Sequence, residues 1–171
     1  MFDINAVNMA IKGDTKSFEV LYDNLSLELY KYAYYILGNE HDAEDVVSET
    51  FIEAMKGIKN LKHPETFKSW MFKILSARVK RKISTYVRDK KNMELDDVSA
   101  AALSTEDFNT VENVMLQKAL QEITSEERSI LLLSTVQGYT TKEVAGMLEL
   151  PQGTVSSKLH RTLKKLRKMM E

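Results

Sequence analysis

An all-α fold of two small helical domains is what this chain predicts, and three observations carry that expectation. Glycine and proline are scarce, six and two in 171 residues, while Leu, Lys, Glu, Met and Ala are plentiful, so long segments can run as uninterrupted helix. Apolar residues recur three and four positions apart rather than alternating, which is the period of a helix face. Helix starts and stops are also marked, by Thr with Glu three residues on and by Gly after the last apolar position.

The first clear helix starts at a Thr15 cap, carries Phe18, Leu21, Tyr22, Leu25, Leu29, Tyr32, Ala33, Ile36 and Leu37 along its inner side, and stops at Gly38. A second runs from about His41 to Met55. Asp42, Glu44 and Asp45 lie in its first turns, where carboxylates complement the positive end of the helix, and Gly57 follows its end. Ile58 to His63 is a loop. His63-Pro64 restarts the chain, and Phe67, Trp70, Met71, Ile74, Leu75 and Val79 form the core face of a long helix that turns basic toward Lys91.

From Asn92 to Asn109 acids, Ser, Thr and an Ala triplet follow one another without periodicity, which predicts a flexible linker. Helical pattern resumes near Val111 with Val114, Leu116, Leu120 and Ile123. Thr124 with Glu127 forms a capping box ahead of Ile130, Leu131, Leu132 and Val136, and Gly138 ends that helix. Thr140 with Glu143 forms another, with Val144, Ala145 and Leu148 on the inner face, and Pro151 fits the first turn of the helix that follows. In that last helix Val155, Leu159, Leu163 and Leu166 make a packing stripe, while Lys158, Arg161, Lys165 and Lys168 make a cationic one. Two helices meeting at Leu150-Pro151, the second apolar on one side and basic on the other, read as a DNA-binding helix-turn-helix. The expected organisation is a helical domain over residues 1–91, an acidic linker over 92–110 and a helix-turn-helix domain over 111–171.

The formal net charge of −1 hides a segregation of charge. Between Asn92 and Glu127 nine acids face the single cation Lys118, whereas Arg78 to Lys91 holds seven cations against Asp89. Two basic blocks separated by an acidic one point to nucleic acid more than the total does. Without cysteine there is neither a disulfide nor a thiolate metal site, which is compatible with a reducing compartment. There is no long apolar run and no basic-then-apolar leader at Met1, so a cytoplasmic protein without a membrane span is expected. His41, His63 and His160 are far apart, no Gly-rich phosphate loop occurs, and the acids near Glu44 are explained by their helix start. No catalytic residue, metal or cofactor is expected.

Against this background the whole chain resembles the extracytoplasmic-function group of bacterial sigma factors, the promoter-recognition subunits of RNA polymerase. Asp42-Ala43-Glu44-Asp45-Val46-Val47-Ser48-Glu49-Thr50-Phe51 is similar to the family's clamp-binding helix, Phe67 to Ile74 to the segment that opens its minus-ten helix, and Pro151 to Arg161 to its minus-thirty-five recognition helix. The resemblance implies a sigma region 2 bundle joined to a region 4 helix-turn-helix. Asp42, Glu44, Asp45, Glu49 and Phe51 would bind core polymerase at the largest-subunit clamp. Ile58 to Pro64 would receive a flipped base of the minus-ten element, with Lys59, Asn60, Lys62 and His63 as polar edges and Trp70, Lys73, Arg78, Lys80 and Arg81 contributing to that site. Phe67 and Trp70 also read as core residues that fix the loop. Gln152, Thr154, Ser156, Ser157, Lys158, Arg161 and Lys165 would meet the minus-thirty-five element.

Implied partners are core RNA polymerase at clamp and flap, promoter DNA and an anti-sigma factor. Ser48, Ser76-Ala77, Glu149, Ser156 and Lys158 depart from the family's usual residues. A polymerase-independent helix-turn-helix regulator remains the alternative, since it shares the C-terminal signal but has no need of the acidic helix from Asp42. A partner-binding helical module and a small RNA-binding helical protein are further ones.

Overall fold

A computed structural model describes residues 3–92 and 119–170, and every regular element among them is helical. Helices α1 (Ile4–Ile11), α2 (Thr15–Leu37), α3 (Glu40–Gly57) and α4 (Phe67–Asn92) form a first bundle, with short 3-10 turns at Ile58–Asn60 and Pro64–Thr66 between α3 and α4. Helices α5 (Ser125–Leu131), α6 (Thr141–Leu148) and α7 (Gln152–Met170) form a second. Apart from Asn92, the last residue of α4, the acidic linker expected over 92–110 lies outside the described residues, as does the pattern over 111–118.

Local chemistry sets the helix ends. Asp14, one residue ahead of the expected Thr15, caps α2 by accepting the Ser17 N–H at 3.0 Å, and Asn39 caps α3 by accepting from the Asp42 N–H at 2.9 Å. Gly38 closes α2 in the left-handed region at φ 69°, its N–H donating to Tyr34 O. Both expected capping boxes form: Thr124 and Thr140 accept the N–H groups of Glu127 and Glu143, whose carboxylates accept the Thr N–H in return. The short α1, with Ala6, Val7 and Ala10 buried, has no counterpart in the sequence expectations, because two turns hold too few apolar positions to establish a period.

Packing revises several sequence readings: Tyr22 and Val136, expected among the inward apolar residues of their helices, are 44% and 68% exposed. In α7 the buried stripe is Val155, Thr162 and Leu166 with Leu159 half-buried, whereas Leu163 is 43% exposed. At 100° per residue Leu163 lies roughly 80° away from Val155, while Thr162 and Leu166 stay within about 20° of it. Pro151 stands just ahead of α7, its carbonyl accepting from the N–H groups of Thr154 and Val155 at 3.0 and 3.1 Å.

The two bundles share one core. Ile130, Leu133, Val144, Met147 and Val155 belong to the same buried cluster as Leu21, Leu25, Leu29, Phe72 and Leu75, so α6 packs against α4 and α5 against α2. Tyr139 meets Phe72 edge-on with ring centres 5.9 Å apart. Arg128 crosses the junction: its Nη1 donates to the carbonyls of Tyr35 and Ile36 at the end of α2, and its Nη2 to Ile123 O, each at 3.2 Å. A guanidinium there meets the orphan carbonyls and the negative end of α2. Buried hydroxyls of Tyr32 and Ser76 lie 3.1 Å apart close by.

Candidate nucleic-acid interface

The helix-turn-helix is built from the capping box outward. Thr140 sets the start of α6, Val144, Ala145 and Met147 bury its inner face, and Glu149 turns the chain in the left-handed region at φ 56°, ψ 43°. Glu149 is the one non-glycine residue with positive φ among the described residues, a strained conformation for an L side chain. Hydrogen bonds to Thr140 hold the Glu143 carboxyl below its ordinary range, and hydrogen bonds to Thr124 do the same for Glu127.

On α7, Gln152, Ser156, Ser157 and Arg161 are exposed and Thr154 is half-buried. Gln152 Nε2 reaches Thr141 Oγ1 at 3.4 Å, linking the two helices, and Arg161 Nε donates to Ser157 O at 3.3 Å. Lys158 and Lys165 are placed differently: the Lys158 ammonium pairs with Glu126 at the start of α5, and the Lys165 ammonium donates to Glu122 O. Both ammonium groups reach back to the segment at the start of α5, Lys158 from a half-buried position and Lys165 from an exposed one. His160, Lys164 and Arg167 occupy the outward face and were missed by sequence reading. Measuring helical angle from Val155 in place of reading charge alone is the signal that finds them.

In the first bundle the loop residues Lys59, Asn60, Lys62 and His63 are all exposed, with His63 Nδ1 3.2 Å from Glu65 Oε1. Phe67 is fully buried; Trp70 is half-buried, its ring centre 6.0 Å from that of Phe67. A Cβ placed on Gly57 would stand 3.3 Å from Trp70 Cζ2, so the indole lies directly against the base of the loop. The α4 cations do not share one face. Lys73 and Lys80 line a cleft of about 310 Å³ at the junction with the α6–α7 turn, where Lys73 Nζ lies 3.5 Å from Glu149 Oε1. Arg78 turns to α3, and Arg81 is exposed.

On α3, Glu44, Asp45 and Glu49 are exposed and Asp42 is partly so. Phe51 packs inside, its ring 4.6 Å from that of Tyr22 and 6.3 Å from that of Phe18, and presents no surface to a partner. Ile52 and Met55 are 52% and 53% exposed. With Asp45 and Ser48 they continue one outward stripe at spacings of three, four and three, acidic at its start and apolar at its end. No cluster of metal-binding side chains occurs among the described residues, and no described helix is long and apolar enough to cross a membrane.

Comparison with known proteins agrees with this layout. The family models described as Sigma-70 region 2 and Sigma-70, region 4 match residues 21–92 and 113–166. The ECF RNA polymerase sigma factor SigW of Bacillus subtilis is 27% identical over 93% of this chain and 91% of its own length. SigV of the same organism is 29% identical over 82% of each, and the ECF sigma factor SigE of Mycolicibacterium smegmatis is 30% identical over 81% of this chain and 56% of its own. Among solved structures, the sigma factor RpoE in complex with the anti-sigma factor NepR from Bartonella quintana shares the fold with a TM-score of 0.79 at 19% identity, over 91% of this chain and 97% of that one. CnrH in complex with the cytosolic domain of CnrY follows at 0.71 and 22%, over 98% and 96%. Carrying both sigma-70 regions in order, with ECF sigma factors as its relatives along nearly its full length, the chain belongs to the ECF group of RNA polymerase sigma factors.

Proposed function

We propose that this chain docks on core RNA polymerase and directs it to promoters, with residues 1–91 reading the minus-ten element, residues 111–171 the minus-thirty-five element, and 92–110 tethering the two. The outward stripe of α3 carries the reading: Glu44 and Asp45 offer carboxylates to a basic clamp, and Ile52 and Met55 extend the contact with apolar surface. Asp42 and Glu49 border that stripe, while Phe51 supports it from inside.

At the minus-ten element Lys59, Asn60, Lys62 and His63 present polar groups to an unstacked base, and Trp70 holds the loop from beneath. Lys73, Lys80 and Arg81, with Arg78, supply cations for the strand. At the minus-thirty-five element the early residues Gln152, Thr154, Ser156 and Ser157 face base edges, Arg161 with His160 and Lys164 faces the backbone, and Lys158 and Lys165 brace the helix against α5. A good base-edge contact is worth roughly 1–3 kcal/mol of discrimination, and the phosphate contacts make binding salt-dependent.

The packed junction bears on regulation. Lys73 lies 3.5 Å from Glu149 and lines the junction cleft with Lys80, so two exposed minus-ten cations adjoin the helix-turn-helix in the free chain. Polymerase is then required to separate the two units, and an anti-sigma factor that favours the packed form would silence the chain. The protein acts without catalysis of its own, in the cytoplasm.

Core-polymerase capture tests this reading. Asp45→Arg should reduce capture at least tenfold with the helical circular-dichroism signal intact. Unchanged capture, or tight sequence-specific promoter binding by the free wild-type chain, would instead favour a polymerase-independent regulator.

A further inference from the structure

Where α4 passes the α6–α7 turn and the start of α5, the two bundles leave between them the cleft of about 310 Å³. Lys73, Ser76, Ala77, Lys80, Ile83 and Ser84 line it along one face of α4, recurring at helical period. Met147, Leu148 and Leu150 close it from the α6–α7 turn, and Ser125 and Ser129 from α5. Packed helices leave few voids larger than a water molecule, and small-molecule sites favour junctions of this kind and clefts from about 300 Å³ upward.

The lining selects the chemistry of an occupant. Its buried hydroxyls are already satisfied: that of Ser76 lies 3.1 Å from the Tyr32 hydroxyl, and Ser129 Oγ donates to Ser125 O at 3.0 Å. The two acids on the rim are engaged as well, Glu126 by Lys158 and Glu149 by Lys73. Lys80 differs, being exposed with no acid within ion-pair distance among the described residues. Between these groups Val79 and Ile83 of α4 and Met147, Leu148 and Leu150 offer only apolar surface. A matching occupant therefore has an apolar body and one negative charge, carried where Lys80 can meet it. At about 30 Å³ for each non-hydrogen atom, the share a water takes in the liquid, the cleft holds about ten such atoms.

We infer that this cleft binds a small amphipathic carboxylate, its apolar chain against Ile83, Leu148 and Leu150 and its headgroup at Lys80, and that the ligand fastens the helix-turn-helix onto α4. Because the walls come from both bundles, the site exists only while they are packed. A ligand at ten times its half-saturating concentration then shifts the balance toward the packed form about elevenfold. The consequence for transcription rests on the proposed function: where separation of the bundles accompanies docking on core, the ligand weakens core binding by up to that factor and makes the chain responsive to a metabolite of this class.

The test is a titration of the isotope-labelled full-length chain with octanoate, a carboxylate of this size, followed by amide chemical shifts. Half-saturation is expected at about 1–10 mM, ordinary for so small a ligand, with the largest shifts at residues 76–84, 125–129 and 147–150. Lys80→Gln should weaken binding about two- to fivefold, the range an exposed ion pair supports. Octylammonium, with the same chain and the opposite charge, should bind more weakly by at least that factor, and Ala77→Trp, which sets an indole on the α4 wall, should prevent saturation. Circular-dichroism melts confirm that the variants fold; should Ala77→Trp not fold, Lys80→Gln and octylammonium decide. Equal binding of the two amphiphiles, shifts scattered over the whole surface, or Lys80→Gln as tight as wild type overturns the site. Saturation that leaves core-polymerase capture unchanged overturns the fastening role. The titration contains no polymerase, so its failure leaves the proposed function standing, and a chain that saturates with octanoate yet never binds core overturns that function alone.

Discussion

Replacing Arg128 by Ala should loosen the grip of the second bundle on the first. Two of its three hydrogen bonds cross the junction, to Tyr35 O and Ile36 O, and the third, to Ile123 O, stays within its own bundle. Hydrogen bonds from a charged donor contribute about 1.5–3 kcal/mol each when well made. At 3.2 Å these are at the long end, and the guanidinium bears a desolvation cost seen in its pKa, which burial lowers. The two crossing bonds together are therefore worth about 2–3 kcal/mol of packing, which corresponds to roughly a 30- to 150-fold shift from packed toward separated. Apolar contacts such as Phe72 with Tyr139 persist, so the variant keeps its helices while its junction opens more often. Amide hydrogen exchange reads this directly: protection at the end of α2 and along α6 should fall by that factor, with protection inside α2–α3 unchanged. Arg128→Lys, which keeps the charge without the fork, should lie between. Equal protection in wild type and Arg128→Ala would refute the view that this residue fastens the junction.

Four further outcomes follow from named contacts. Glu149→Gly should stabilise the chain by about 0.5 kcal/mol in thermal melts, because relief of roughly 1–2 kcal/mol of left-handed strain outweighs both about 0.4–1 kcal/mol of added unfolded-state freedom and a solvent-exposed pair with Lys73; a loss of stability would contradict the strain argument. Thr140→Ala should cost about 1 kcal/mol through loss of its capping box, read by denaturant unfolding, with no such cost for the exposed Lys142→Ala. Gly57→Ala should shift the emission of the single tryptophan, whose indole must move away from a Cβ 3.3 Å from Cζ2, and should slow promoter opening while leaving core binding intact. Because Glu127 and Glu143 titrate below their ordinary 4.5 when folded, their contribution is full above that pH and is lost as pH falls through the depressed values; melting temperature should accordingly decline below about pH 4.5, and less so in Glu143→Gln.

What was legible in the sequence is what neighbours along the chain decide. The capping boxes at Thr124 and Thr140, the stop at Gly38 and the outward placement of Gln152, Ser156 and Arg161 are local consequences of residue type and helical period. Charge and aromaticity do not reveal which neighbour a side chain meets after folding: Tyr22 and Phe18 cover Phe51, and Glu126 and Glu122 engage Lys158 and Lys165. Leu163 was placed in the packing stripe on spacing alone, whereas helical angle favours Thr162. The junction was least legible, since the contacts of Arg128 with Tyr35 and Ile36 join residues 93 and 92 positions apart. Shorter separations, 25 and 29 positions for Arg78 with Glu53 and Glu49, already hide the charged α3–α4 seam, in which cations read as DNA-binding pair with acids read as polymerase-binding.

Transcription in vitro with core polymerase, this chain and fragmented genomic DNA, followed by mapping of the 5′ ends, tests the central claim most directly. Discrete start sites that appear only when the chain is added, preceded by shared sequence elements near minus ten and minus thirty-five, are the expected result. No initiation above core alone, beside an authentic sigma subunit that initiates in the same reaction, would contradict it.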